Sequence, residues 1–169
     1  SLRSGGSILE LAGQPIEEYD SLMIRRNEIY CDILRQADSR QLIRPGAIDV
    51  LRHFHGRLTM GIVSSCRRCH FELIHRQTDI IELMDFIIVL EDCPNNKPLP
   101  DPYLLALQRT GLSPEQCVVI EDAERGIIAA RAAALDVIAV PEDPAFRGDF
   151  SQALAVVPDL RQLPQYITR

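Results

Sequence analysis

From Pro45-Gly46 onward the chain alternates short apolar runs with segments of helical pattern, and nothing else in it narrows the fold as far. Ala47 to His55 reads as a helix, Leu58 to Val63 (LTMGIV) as a strand, and Arg67 to about Thr78 as a helix. Phe86 to Leu90 (FIIVL) is a second strand, followed by a loop holding Pro94, Pro98, Pro100 and Pro102. Tyr103 to Thr110 is helical, and Ser113 to Gln116 has the pattern of a capping box. Cys117 to Ile120 (CVVI) and Val137 to Val140 (VIAV) are strands flanking an alanine-rich helix from Gly126 to Leu135, with Leu154 to Val157 as a last strand. Strands alternating with helices predict an α/β fold: a parallel sheet covered by helices on both faces. Ligands bind such sheets at the carboxyl ends of the strands. The informative residues are therefore Ser64-Ser65, Glu91-Asp92 and Glu121-Asp122.

The segment before Pro45 differs. Pro15 to about Gln36 reads as one long helix, with Pro15 suited to its first position. Its apolar stripe runs Ile16, Tyr19, Met23, then Tyr30 and Ile33 or Leu34, and breaks at Arg26-Asn27. A length of 169 residues suits one compact domain, or one with a small appendage. The net charge of −6, with no basic run, argues against nucleic acid or an anionic membrane as partner. No stretch approaches the roughly 18 apolar residues of a membrane span. A small phosphorylated metabolite, which needs only a few local cations, remains open. The five cysteines form no even disulfide framework, and a reducing cytoplasm is expected.

Three positions carry candidate chemistry. Ser64 ends a strand just before a helix, where a hydroxyl beside free backbone N–H groups suits a phosphate oxygen; a plain helix N-cap explains it as well. Glu121-Asp122 offers two hard oxygen donors at a strand end, which suits Mg²⁺; acidic residues complementing a helix dipole are the competing explanation. Lys97 lies among prolines that fix φ, so its charge is expected to be positioned rather than floating.

Together these residues resemble a known pattern. Ile62-Val63-Ser64-Ser65, Lys97-Pro98-x-Pro100-Asp101 and Val119-Ile120-Glu121-Asp122-x-x-x-Gly126-x-x-Ala129-Ala130 are similar to motifs two, three and four of the haloacid-dehalogenase superfamily. The likeness runs from about Gly13 to about Pro141 and is greatest to the branch of β-phosphoglucomutases and sugar-phosphate phosphatases. The resemblance implies a Rossmann-like core at 43–169 and, at 1–42, the C-terminal part of a helical cap. It implies phosphoryl transfer through an aspartyl-phosphate. In that scheme Ser64 and the Ser65 backbone N–H bind the phosphoryl group, Lys97 neutralises its charge, and Asp122 assisted by Glu121 holds Mg²⁺. Arg25-Arg26-Asn27-Glu28-Ile29-Tyr30 resembles the cap's Arg-Lys-Asn-x-x-Tyr block, which places Arg26 toward substrate; a solvated edge is the alternative. Arg67 and Arg68, one turn beyond Ser64, are candidates for a second phosphate, or surface.

The family's first motif, Asp-x-Asp, which supplies nucleophile and general acid, occurs nowhere in the 169 residues. The expectation is a chain that starts inside the cap and lacks its first, central strand. The favoured reading is a truncated phosphatase or phosphomutase, inactive as it stands; the alternative is a non-catalytic binding or scaffolding remnant. A central strand's loss predicts a repair: Leu58–Val63 pairing directly with Cys117–Ile120, another segment in the slot, or a missing strand that exists upstream. Ala134, where a glycine usually ends the helix, and Cys66, where the mutases have serine, depart from the pattern.

Cys66-Arg-Arg-Cys69-His70 matches a haem-attachment pattern, but no export signal accompanies it. Cys31, Cys93 and Cys117 form no second pair of similar spacing, so a zinc site is not expected either.

Overall fold

The computed structural model describes residues 17–142 and 148–167. It opens with helix α1 (Glu17–Gln36), and α2 (Ala47–Phe54), β1 (Gly61–Val63), α3 (Arg68–His75) and β2 (Phe86–Ile88) follow. The rest comprises α4 (Asp101–Thr110), β3 (Val118–Glu121), α5 (Glu124–Ala132), β4 (Asp136–Ala139) and β5 (Ala155–Val156). The fold is the expected α/β arrangement with every strand pair parallel. Several ends differ from the apolar runs: β1, β2, β5 and α3 are shorter, α4 starts earlier at Asp101, and β3 and β4 are displaced along the chain. A final 3₁₀ segment, Leu160–Gln165, has no apolar periodicity to announce it.

The strands alternate faces as their period of two requires. Val137 and Ala139 of β4 pack under α4 and α5, with Tyr103, Ile127, Ala129 and Ala130. Ile138 and Val140 point the other way, onto Val50 and Phe54 of α2 and onto Val157 and Leu163. Val63 joins the first cluster and Met60 the second, so the β1 segment is packed on both faces. Gly61 is glycine because a Cβ there would overlap the Phe86 ring on the paired strand.

One expectation is corrected here. There is not a single sheet but two ladders, β1–β2 and β3–β4–β5. Among the described residues, β1 and β3 do not pair and no strand lies between them. The facing edges instead line a cleft of about 360 Å³. Neither direct pairing nor a filling segment, two of the expected repairs, is found among the described residues, and the cost that called for a repair falls only on groups buried away from solvent. A cleft of this size admits water, which satisfies such groups, and a lysine spans it.

Helix α1 packs on α3. Its buried line is Cys31 and Leu34, with Met23 and Asn27 half-buried, whereas Tyr30 and Ile33 are exposed. The apparent break in the stripe is thus half wrong: Asn27 lies on the packed side and Arg26 on the open one. Pro15 and Ile16 lie outside the described residues, as does the side chain of Tyr19. The C-terminus of α1 is held by Arg76, whose guanidinium donates to the carbonyls of Leu34 at 2.7 Å, Arg35 at 2.9 Å and Ala37 at 2.6 Å. Next to it Ser39, fully buried, donates to Leu73 O at 3.1 Å.

Candidate active site

Ser64, Ser65, Lys97, Glu121 and Asp122 come from three separate strand ends and line the same cleft. Ser64 follows β1 directly, and its Oγ accepts from Cys66 N at 3.2 Å. It does not cap α3, which starts at Arg68 with Arg67 in the cap position. The first helical amide, Arg68 N–H, donates to Glu91 Oε2 at 2.9 Å instead. Nor does Asp122 cap α5, because Ala123 holds that position and Glu124 is the acid of the first turn. Ser64 is thus not the cap of α3, whereas Asp122, one residue ahead of the α5 cap, still lies where its charge complements the helix dipole; both side chains line the cleft.

Lys97 is the centre of the arrangement. Its Nζ donates to Val63 O at 2.9 Å, at the end of β1, and pairs with Glu121 Oε1, at the end of β3. Both side chains are more than nine-tenths buried, so the pair is a shielded one. The Val63 carbonyl faces the cleft because its neighbour's amide, Ser64 N–H, is turned to Ile88 O on β2 at 2.8 Å. The lysine thus satisfies a strand-edge acceptor that β2 cannot reach. Tyr103 donates its hydroxyl to the same Glu121 oxygen at 2.5 Å. Burial, and then the adjacent Glu121 carboxylate, pushes the Tyr103 hydroxyl far above its usual range, so it remains a donor. The loop carrying Lys97 is tied down by Asn96, whose Oδ1 accepts from Lys97 N and from Ser65 Oγ, each at 2.8 Å. The Lys97–Pro98 peptide is cis.

The motif glycine also has a reason. A Cβ on Gly126 would overlap the Glu121 carboxyl group, so the α5 backbone must be bare where that carboxylate passes. Asp122 is exposed on the cleft wall, and no side chain among the described residues donates to it. Its two oxygens thus fit a hard cation such as Mg²⁺. Glu121 has one oxygen committed to Lys97 and Tyr103.

Not every predicted residue reaches the cleft. Arg26 is exposed on α1, its guanidinium 4.0 Å from Met23 Sδ, and Arg67 is exposed ahead of α3. Neither lines the cleft, and both lie close enough to His70 to act on its charge. Two other cations do line it: Arg44, donating to Val140 O at 2.5 Å and Pro141 O at 3.0 Å, and Arg125, exposed on the first turn of α5. Arg125 sits in an unspecified position of the Glu-Asp-x-x-x-Gly pattern, and Arg44 precedes a Pro-Gly turn, so no spacing singled them out.

A model of the family described as haloacid dehalogenase-like hydrolase matches residues 8–140. This chain belongs to that family. Among curated hydrolases of this kind, it is 37% identical over 93 residues to fructose-1-phosphate phosphatase YqaB of Escherichia coli, covering 55% of this chain and 50% of that protein. It is 39% identical over 142 residues to protein CbbY of Rhodobacter capsulatus, covering 80% of this chain and 60% of the relative. The chain therefore spans half to three-fifths of these relatives' lengths. Its fold superimposes on CbbY from Rhodobacter sphaeroides in complex with phosphate, with a TM-score of 0.76 at 22% identity over 89% of this chain and 68% of that one. It also superimposes on β-phosphoglucomutase from Clostridium difficile, with a TM-score of 0.73 at 26% identity, covering 96% and 76% of the two chains.

Proposed function

We propose that the chain carries the phosphate-binding and charge-compensating part of a Mg²⁺-dependent phosphatase or phosphomutase acting on a small phosphorylated metabolite. The observation that carries this reading is the convergence of Ser64, Lys97 and Asp122, from three strand ends, on one cleft. In this scheme the Ser64 hydroxyl and the Ser65 backbone N–H hold a phosphoryl oxygen. Lys97, fixed by Val63 O and Glu121, has a third N–H left for a second oxygen. Arg44 and Arg125 hold the ester's remaining charge. Asp122 would hold Mg²⁺, which supplies positive charge to the transferring oxygens when bound. Glu121 assists by orienting Lys97. In this reading helix α1 belongs to a helical cap, and Arg26 on its exposed side is a further cation for substrate. The free cysteines suit a reducing, cytoplasmic setting.

Family chemistry runs through an aspartyl-phosphate, and the 169 residues contain no Asp-x-Asp to form it. The purified chain is therefore expected to show no Mg²⁺-dependent hydrolysis of sugar phosphates or p-nitrophenyl phosphate. Joined to an upstream segment bearing that motif, it should turn over, and Lys97→Ala should then lower kcat far more than it raises KM. Turnover by the 169-residue chain that Asp122→Ala abolishes would place the nucleophile among the present residues and sink this reading.

A further inference from the structure

The cysteine segment that sequence spacing set aside is completed in space by a residue from another helix. Cys31 of α1 and Cys69 and His70 of α3 bring their ligand atoms within 4.8 Å of one another. Cys31 is buried, His70 half-buried and Cys69 exposed, so one side of the group faces solvent. Cys66, the other cysteine of the Cys-x-x-Cys pattern, is not part of it. The third ligand comes not from a second nearby pair but from 38 residues away in sequence, on a helix packed alongside.

Two further observations point the same way. His70 Nε2 is 2.7 Å from Asn27 Oδ1, one turn before Cys31 on the same face of α1. An amide oxygen only accepts, so this contact favours the tautomer in which Nε2 carries the proton and Nδ1 keeps its lone pair. Such an outer partner is what orients metal-bound imidazoles generally. The ring is also held edge-on to Tyr30, with centroids 4.7 Å apart. The helices that carry the ligands are locked together independently by Arg76, just past α3, which donates to the carbonyls of Leu34 and Ala37 at the end of α1, and by Ser39, just past α1, which donates to Leu73 O of α3.

We propose that Cys31, Cys69 and His70 form a binding site for a thiophilic divalent cation of the zinc class, with solvent in the fourth position. Tetrahedral Zn²⁺ separates its N and S ligands by roughly 3.4–3.8 Å, given Zn–S of about 2.3 Å and Zn–N of about 2.0–2.1 Å. Closing from 4.8 Å or less needs only small side-chain rotations. Two thiolates neutralise the ion's charge, which suits a half-buried position. The site is separate from the phosphate cleft, since none of its residues lines that cleft. Its effect is to clamp α1 onto α3.

The test is titration of the reduced full chain with Co²⁺ and then Zn²⁺, with Zn²⁺ affinity measured by chelator competition. The expected result is one equivalent of Co²⁺ giving a thiolate-to-metal charge-transfer band that Zn²⁺ displaces. Cys69→Ser should remove the band and weaken Zn²⁺ binding at least 100-fold, while Cys117→Ser, remote from the group, leaves both unchanged. Asn27→Ala should weaken binding roughly 10- to 100-fold. Cys69 is exposed, so its substitution is tolerated; if circular dichroism shows otherwise, His70→Gln carries the same comparison. Co²⁺ uptake without a thiolate band, unchanged Zn²⁺ affinity in Cys69→Ser, or a Cys31–Cys69 disulfide that forms in place of metal binding would each overturn the proposal.

Discussion

Gly126 separates two expectations that differ in sign. A glycine inside an exposed helix is ordinarily improved by alanine, by about 1 kcal/mol. Here the added methyl would displace the Glu121 carboxylate from Lys97 and Tyr103, and disrupting a buried pair outweighs the helix gain. Gly126→Ala should therefore destabilise the chain, by about 2–3 kcal/mol in urea unfolding. Ala134 predicts the reverse. It sits at φ +61° just past α5, with its N–H on Arg131 O and that of Leu135 on Ala130 O, each at 3.0 Å. That is the paired bonding of a Schellman ending, which favours glycine. Ala134→Gly should stabilise by about 0.5–1 kcal/mol by the same measurement. At this scale the sequence was legible where a residue ends a strand, as Ser64 and Asp122 do, because topology alone marks those positions. It was not legible for Tyr103 and Asn96, whose roles depend on a carboxylate 18 residues away and a hydroxyl 31 residues away.

Helix α1 shows how an element is fixed at one end. Leu22, Ile24, Ile29 and Ile33 are exposed along it, so packing alone grips only its Cys31–Leu34 side. The Arg76 fan supplies the hold at the C-terminus, satisfying carbonyls that a helix end leaves open. Arg76→Ala should cost about 2 kcal/mol and open the 36–40 turn to proteases, and Arg76→Lys should restore little, since a lysine cannot fan across separate acceptors. Limited proteolysis followed by mass spectrometry reads both. Helix positions were predictable from periodicity, yet the facing of α1 was not. An asparagine that serves a histidine on α3 looks, in one dimension, like a flaw in an apolar stripe.

Across the whole molecule, two parallel ladders share cores on both faces while their facing edges remain unpaired among the described residues. Alternation along a strand makes this testable amide by amide. Ser64 N–H is bonded to Ile88 O and Val140 N–H to Glu121 O, at 2.8 and 2.7 Å. The amides of Val63 and Ile120 point the opposite way, into the cleft. Hydrogen exchange should be markedly slower at Ser64 and Val140 than at Val63 and Ile120; equal protection would mean that the edges are paired in solution. Strand order and sheet continuity were the least legible features, because an apolar run announces a strand but not its neighbour.

The ionisable side chains lining the cleft are Arg44, Lys97 and Arg125 against Glu121 and Asp122, a surplus of one positive charge. A phosphate ester meeting that wall finds little attraction, much of it already cancelled by Glu121. A divalent cation on Asp122 would triple the surplus, and the gain is largest where water is partly excluded. Cation and anion then help one another to bind, and by reciprocity each raises the other's affinity by the same factor. Charge thus couples the two loadings without setting their order: in the proposed scheme magnesium would tighten ester binding by the factor with which the ester tightens magnesium.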